Sequence, residues 1–119
     1  MKDFRQLKVW EKAHRLVLSI YEVTGRFPDN ERFGLTSQIR RASVSIPANI
    51  AQGCGKEGDA DFARYLQISA GSASELEYHL LLSHDLELIR KVPYEQLNKE
   101  VTEIKRMLSS LLKKLRAES

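Results

Sequence analysis

Cysteine is nearly absent from this chain: Cys54 is the only one in 119 residues. An intrachain disulfide is therefore impossible, and nothing points to an oxidising compartment. Long apolar runs are missing too. No segment approaches the ~20 apolar residues that a membrane span needs, and Met1-Lys2-Asp3-Phe4-Arg5 has no apolar stretch of the secretory kind. The expectation is a cytoplasmic protein with no membrane association. No segment alternates apolar and polar residues as a strand would, and no internal repeat or low-complexity tract is evident. Breakers are few, with three prolines and six glycines, most of them between apolar-periodic blocks.

What is present is charge and helical periodicity. Charged residues make up 29% and hydrophobic ones 42%, which suits a thin helical protein with much surface. The length fits one domain, spanning 1–119, able to bury a core without staples. A net charge of +3 permits nucleic-acid binding without requiring it, and is modest beside dedicated DNA-binding modules.

Four blocks carry apolar residues at three- and four-residue steps. The first is predicted from Lys8 to Arg26, on Val9, Ala13, Leu16, Val17, Ile20 and Tyr21. The second is predicted from Leu35 to Gln52, on Leu35, Ile39, Ala42, Ile46 and Ile50. Pro47 lies inside it and would cost ~3 kcal/mol in an isolated helix. A kinked helix and a break at Ile46 compete there; the stripe stays in phase through Ile50, which favours the kink. Gly53 is expected to cap this helix. The third and longest helix is predicted from Asp59, an N-cap, to Ile89. After Lys91-Val92-Pro93, with Pro93 at a first helical position, the fourth is predicted from Tyr94 to Arg116. Its stripe is Leu97, Val101, Ile104, Leu108, Leu111, Leu112 and Leu115. The fold class is all-α: an up-down-up-down four-helix bundle with a kinked second helix and a long third one.

Leu80, Leu81 and Leu82 are consecutive and point ~100° apart, so the third helix is apolar over a wide arc. These three residues are therefore expected to form a subunit interface; the alternative is a broad core face within a monomer. Gly71 sits mid-helix among small residues, at a cost of about 1 kcal/mol against alanine; close approach to the second helix would offset it.

No active-site constellation emerges, and the chain is expected not to be an enzyme and to hold no cofactor or metal. Gly53-Cys54-Gly55-Lys56-Glu57-Gly58 matches G-x-G-x-x-G, but a helix precedes it, and Asp59 and Asp61 after it repel phosphate. Glu11-x-x-His14 is half of a di-iron pattern whose second pair is missing, since Leu76 and Leu81 stand three residues before His79 and His84. Cys54 has no base in its local sequence.

Basic residues give the best hint of function. In an up-down bundle the start of the first helix lies beside the end of the fourth. Lys2, Arg5, Lys8 and Lys12 would gather there with Lys113, Lys114 and Arg116, and such a cluster can hold phosphates. Solvated lysines at a helix C-terminus would look the same. Arg40 and Arg41 form a second candidate.

The run Ser37-Gln38-Ile39-Arg40-Arg41-Ala42-Ser43-Val44-Ser45-Ile46-Pro47-Ala48-Asn49-Ile50-Ala51-Gln52-Gly53 resembles one family closely. So do Phe4-x-x-Leu7-x-Val9-Trp10, Phe27-Pro28, Phe33-Gly34-Leu35 and Ala70-Gly71-Ser72-x-x-Glu75-Leu76. They are similar to the bacterial four-helix-bundle proteins encoded by intervening sequences within 23S ribosomal RNA genes. Gln52 stands where that family often has Glu. The resemblance implies a homopentamer and a relation to accessory proteins of retroelement reverse transcriptases that bind nucleic acid. It implies packing roles for Arg41 and Asn49, a cap at Gly53 and a contact at Gly71, and no catalytic residues. Five copies at +3 each would together carry about +15. The expected function is an oligomer binding structured RNA through basic surfaces; the alternative is a scaffold docking a partner, such as a nucleic-acid-processing protein.

Overall fold

A computed structural model describes residues 2–118. Helix α1 spans Lys8–Thr24, α2 Leu35–Cys54, α3 Asp59–Asp85 and α4 Lys91–Glu118. Short 3-10 turns at Phe4–Gln6 and Asp29–Glu31 precede α1 and α2. Each helix packs on its neighbour in sequence and α1 closes on α4, while the diagonal pairs do not meet among the described residues. This is the expected up-down-up-down ring. It measures 46 × 22 × 19 Å.

The apolar stripes become the core. Val9, Ala13, Leu16 and Ile20 of α1 face Ile39, Ala42, Ile46 and Ile50 of α2, and all are buried. Phe62, Leu66, Ala73, Leu76 and Leu80 of α3 meet Leu97, Val101, Ile104 and Leu108 of α4 in the same core. None of these side chains carries a polar atom, and burial of each of the larger ones, alanines aside, contributes roughly 1.5–3 kcal/mol.

Helix α2 runs unbroken through Pro47, and the break at Ile46 does not form. Proline cannot donate to the Ser43 carbonyl one turn back. Packing compensates: Pro47 is buried, and the buried Ser69 hydroxyl of α3 donates to the Ile46 carbonyl at 2.9 Å. The Ser45 and Ser72 hydroxyls share a further hydrogen bond of 2.7 Å.

Neither glycine takes the role assigned from the sequence. Gly53 is not the cap; α2 continues to Cys54 and the Gly55 N–H closes the helix on Ala51 and Gln52. A Cβ at Gly53 would stand 2.9 Å from the Tyr65 Cβ and 3.0 Å from Phe62, so the close approach of α2 to α3 occurs here. Gly71 has nothing within 4 Å of its Cβ position and makes no contact inside the bundle.

Helix α3 stops at Asp85 rather than Ile89. Glu87 adopts a left-handed φ of 64°, its N–H bonds to the His84 carbonyl, and the Leu88 N–H bonds to the Ser83 carbonyl. That is a Schellman ending with glutamate in the place glycine usually takes. The His84 ring stacks on Tyr94 at 4.4 Å and its Nδ1 lies 3.1 Å from the Ile89 carbonyl, which ties the turn to α4. Helix α4 then begins at Lys91, three residues early. Pro93 fits within its first turn, where backbone N–H groups have no helical partner to lose.

Candidate nucleic-acid interface

Several basic residues act as clamps across the four seams of the ring. Between α1 and α2, the Arg40 Nε donates to Thr24 Oγ1 at 2.9 Å and its Nη2 to the Tyr21 carbonyl at 3.3 Å. The same guanidinium lies 4.4 Å over the Tyr21 ring. It thus places positive charge at the C-terminal end of α1, where the helix dipole is negative. Between α2 and α3, Arg41 reaches Glu75 at 3.2 Å and Gln38 at 2.7 Å. Lys105 pairs with Glu77 at 2.8 Å between α3 and α4, and Lys12 with Glu103 at 3.0 Å between α1 and α4. The hydrogen bond and charge of Lys12 hold the Glu103 carboxyl below its ordinary range.

This geometry divides the predicted basic cluster. Lys12 lies beside the middle of α4, ten residues or about 15 Å of helix before Lys113. It is neutralised there by Glu103. Lys2 pairs with Asp59 at 3.9 Å and Arg5 with Asp3 at 3.4 Å. Lys8, Lys113 and Lys114 are exposed and make no ion pair among the described residues, and Arg116 and Leu115 line a hollow with Asp59, Ala60 and Ala63 at the start of α3.

A longer basic surface was missed by sequence reasoning. Lys99, Arg106 and Lys113 are exposed on α4 and recur every seven residues, which keeps them on one helical face within ~40°. None of the three makes an ion pair among the described residues. The seven-residue recurrence was the available signal; it was obscured by Glu95, which falls on the same face, and by Glu103 beside it, whose carboxyl Arg106 and Lys99 help to hold down.

The predicted leucine interface also divides. Leu80 is fully buried in the core, Leu82 is half-buried, and Leu81 remains 44% exposed. Outward on α3, the exposed positions between Arg64 and Asp85 are Gln67, Ile68, Gly71, Ser74, Tyr78 and Leu81. None is charged, and all fall on one face. Ile68, Tyr78 and Leu81 are 42%, 59% and 44% exposed.

Arg41 takes part in packing as the resemblance implied, through Glu75, while Asn49 bonds within its own helix to the Ser45 carbonyl and hydroxyl. Cys54 is buried, and burial pushes its thiol pKa up, away from the thiolate a nucleophile needs. Glu11 is engaged by Arg15, and the His14 ring stacks on Trp10. Among the described residues no three His, Cys, Asp or Glu side chains gather as a metal would require. No described helix is long and apolar enough to cross a membrane.

The fold and its seams define a small all-α bundle with polar pairs between helices and basic residues turned outward. The chain belongs to the 23S rRNA-intervening sequence protein family, whose pattern matches residues 5–110. It is similar to a crystal structure of a protein with unknown function from the S23 ribosomal protein family of Bacteroides thetaiotaomicron. The two share 34% identity over 88% of this chain and 98% of that one, with a TM-score of 0.82. No curated protein matches the chain.

Proposed function

We propose that this protein is a non-enzymatic homo-oligomer that binds structured RNA through its outward basic surfaces. The observation that carries the reading is the α4 face, where Lys99, Arg106 and Lys113 stand in line and exposed, none in an ion pair among the described residues, with Lys114 exposed beside them. On a charged helix, exposed cations in a row and outside ion pairs favour a polyanion, because each phosphate contact releases a condensed counterion. The family's association with 23S ribosomal RNA genes supports RNA as that polyanion. Self-association is supported by the uncharged outer face of α3, which is unusual in a chain with 29% charged residues. Repeating the α4 row in each copy multiplies a modest monomer charge, and the resemblance to pentameric relatives favours five.

The experiment is an anisotropy titration with a structured RNA at several salt concentrations. Lys99→Ala, Arg106→Ala and Lys113→Ala together should flatten the plot of log affinity against log salt by about 2–3 units for each α4 face engaged. Folding should survive, since exposed side chains contribute within ~0.5 kcal/mol. Equal affinity and slope for the triple variant would remove this surface. No binding at low salt would remove the RNA reading and leave the partner-protein scaffold. Light scattering should report a mass several times the 13.6 kDa of one chain; a single-chain mass at all concentrations would remove the oligomer.

A further inference from the structure

At the opposite flank of the molecule, the connection between α1 and α2 forms an open hollow of about 510 Å³. Tyr21, Arg32, Phe33, Arg40, Arg41 and Val44 line it, and no carboxylate does. Two features set it apart from the α4 face. Phe33 is 90% exposed, the most exposed large apolar side chain described, and Arg32 lies 5.5 Å over its ring. Arg32 has no ion-pair partner among the described residues, and Arg40 is fixed by Thr24 and the Tyr21 backbone rather than by an acid. Only Arg41 meets a carboxylate, that of Glu75.

We propose that this hollow is a site for unpaired RNA, in which a base stacks on Phe33 and the adjoining phosphates lie against Arg32 and Arg40. The charge is complementary to a phosphate backbone, and a fully presented ring supplies a platform that duplex RNA cannot use, because its bases are already stacked. Arg40 is held rigidly on Tyr21, so positioning its guanidinium demands little ordering on binding. The inference rests on the RNA-binding reading and adds to it a preference for single strands at a second surface.

The test uses the full-length protein with two probes of the same composition. One is a single strand about 12 nucleotides long, carrying 2-aminopurine near its centre; the other is a closed hairpin duplex. The wild type should quench the 2-aminopurine fluorescence. Phe33→Ala should abolish that quenching and weaken the single strand about 5- to 150-fold, the range for one stacked base, with the duplex unaffected. Phe33→Trp should restore both. Quenching that survives Phe33→Ala, or equal loss for the two probes, would overturn the proposal while leaving RNA binding through α4 intact. A fall in oligomer mass on Phe33→Ala with unchanged RNA affinity would assign the ring to a second copy and overturn it as well. Failure of the wild type to bind either probe would remove both this site and the RNA reading beneath it.

Discussion

Gly71→Ala separates the stability of one chain from that of the assembly, because the two should move in opposite directions. Inside a helix, alanine is favoured over glycine by about 1 kcal/mol. Nothing obstructs the new methyl, since no atom beyond the adjoining backbone of its own helix lies within 4 Å of it. For 119 residues, an unfolding entropy of about 2.1 cal/mol/K per residue gives roughly 0.25 kcal/mol/K, so the single chain should melt about 4 °C higher. The uncharged α3 face invites a neighbouring copy close to the Gly71 backbone, and there the methyl should clash and weaken association. Circular-dichroism melts at a concentration low enough to dissociate the oligomer should show the rise. Sedimentation velocity at micromolar concentration should show the mass falling toward 13.6 kDa. A higher melting temperature with the oligomer mass unchanged would refute the close approach and leave Gly71 as a tolerated surface glycine.

The companion glycine should respond in the other sense. Gly53→Ala places a Cβ 2.9 Å from that of Tyr65, and overpacking of this kind costs typically 1–3 kcal/mol, visible in urea denaturation of the chain itself. Glu87→Gly should stabilise by about 1 kcal/mol, since glycine adopts the left-handed φ of 64° without the side-chain penalty; an unchanged midpoint would count against that ending of α3. Lys12→Met should raise the Glu103 carboxyl toward the ordinary range, short of it because Arg106 and Lys99 still lower it, as read by carboxyl-carbon NMR titration. Because the folded-state pKa of Glu103 is depressed, its contribution to stability is present above the unfolded value and fades as pH falls through the folded one. Acid melts of wild type and Lys12→Met should therefore converge at low pH.

The helices were legible because apolar spacing is a local property. Helix α2 was expected at Leu35–Gln52 and spans Leu35–Cys54, and α1 ends at Thr24 where Arg26 was expected. Continuity through Pro47 followed from the phase of Ile46 and Ile50. The errors concern what one helix presents to another. Leu80, Leu81 and Leu82 signal a wide apolar arc, but only the ring of neighbours decides that Leu80 faces inward and Leu81 outward. Gly53 and Gly71 are equivalent as letters; the approach of Tyr65 and Phe62 distinguishes them. The end of α3 was hidden because Glu87 occupies a conformation normally announced by glycine or asparagine. The basic surface was partly legible. Lys113 and Lys114 are exposed at the end of α4, whereas Lys12 departs because Glu103 draws it to mid-helix, an ion pair between residues ninety-one positions apart.

The four polar clamps also bear on the direction in which the ring is wound. An aliphatic core is permissive: a bundle winding the opposite way would bury Leu16, Ile46, Leu76 and Leu108 nearly as well, with the same helices adjacent. In that mirror topology the flank of each helix that now meets its successor would meet its predecessor. Arg40 would turn from Thr24 toward α3, Arg41 would leave Glu75 for α1, and Lys12 and Lys105 would each face away from their glutamates. One reversal would break all four contacts together, along with the Gly53 approach to Tyr65 and the Ser69 hydrogen bond to Ile46, whereas the aliphatic side chains of the core register little of the difference. The chain's handedness is therefore written in the borders of its helices, in their polar pairs and in the close approach at Gly53, more than in the aliphatic side chains between them.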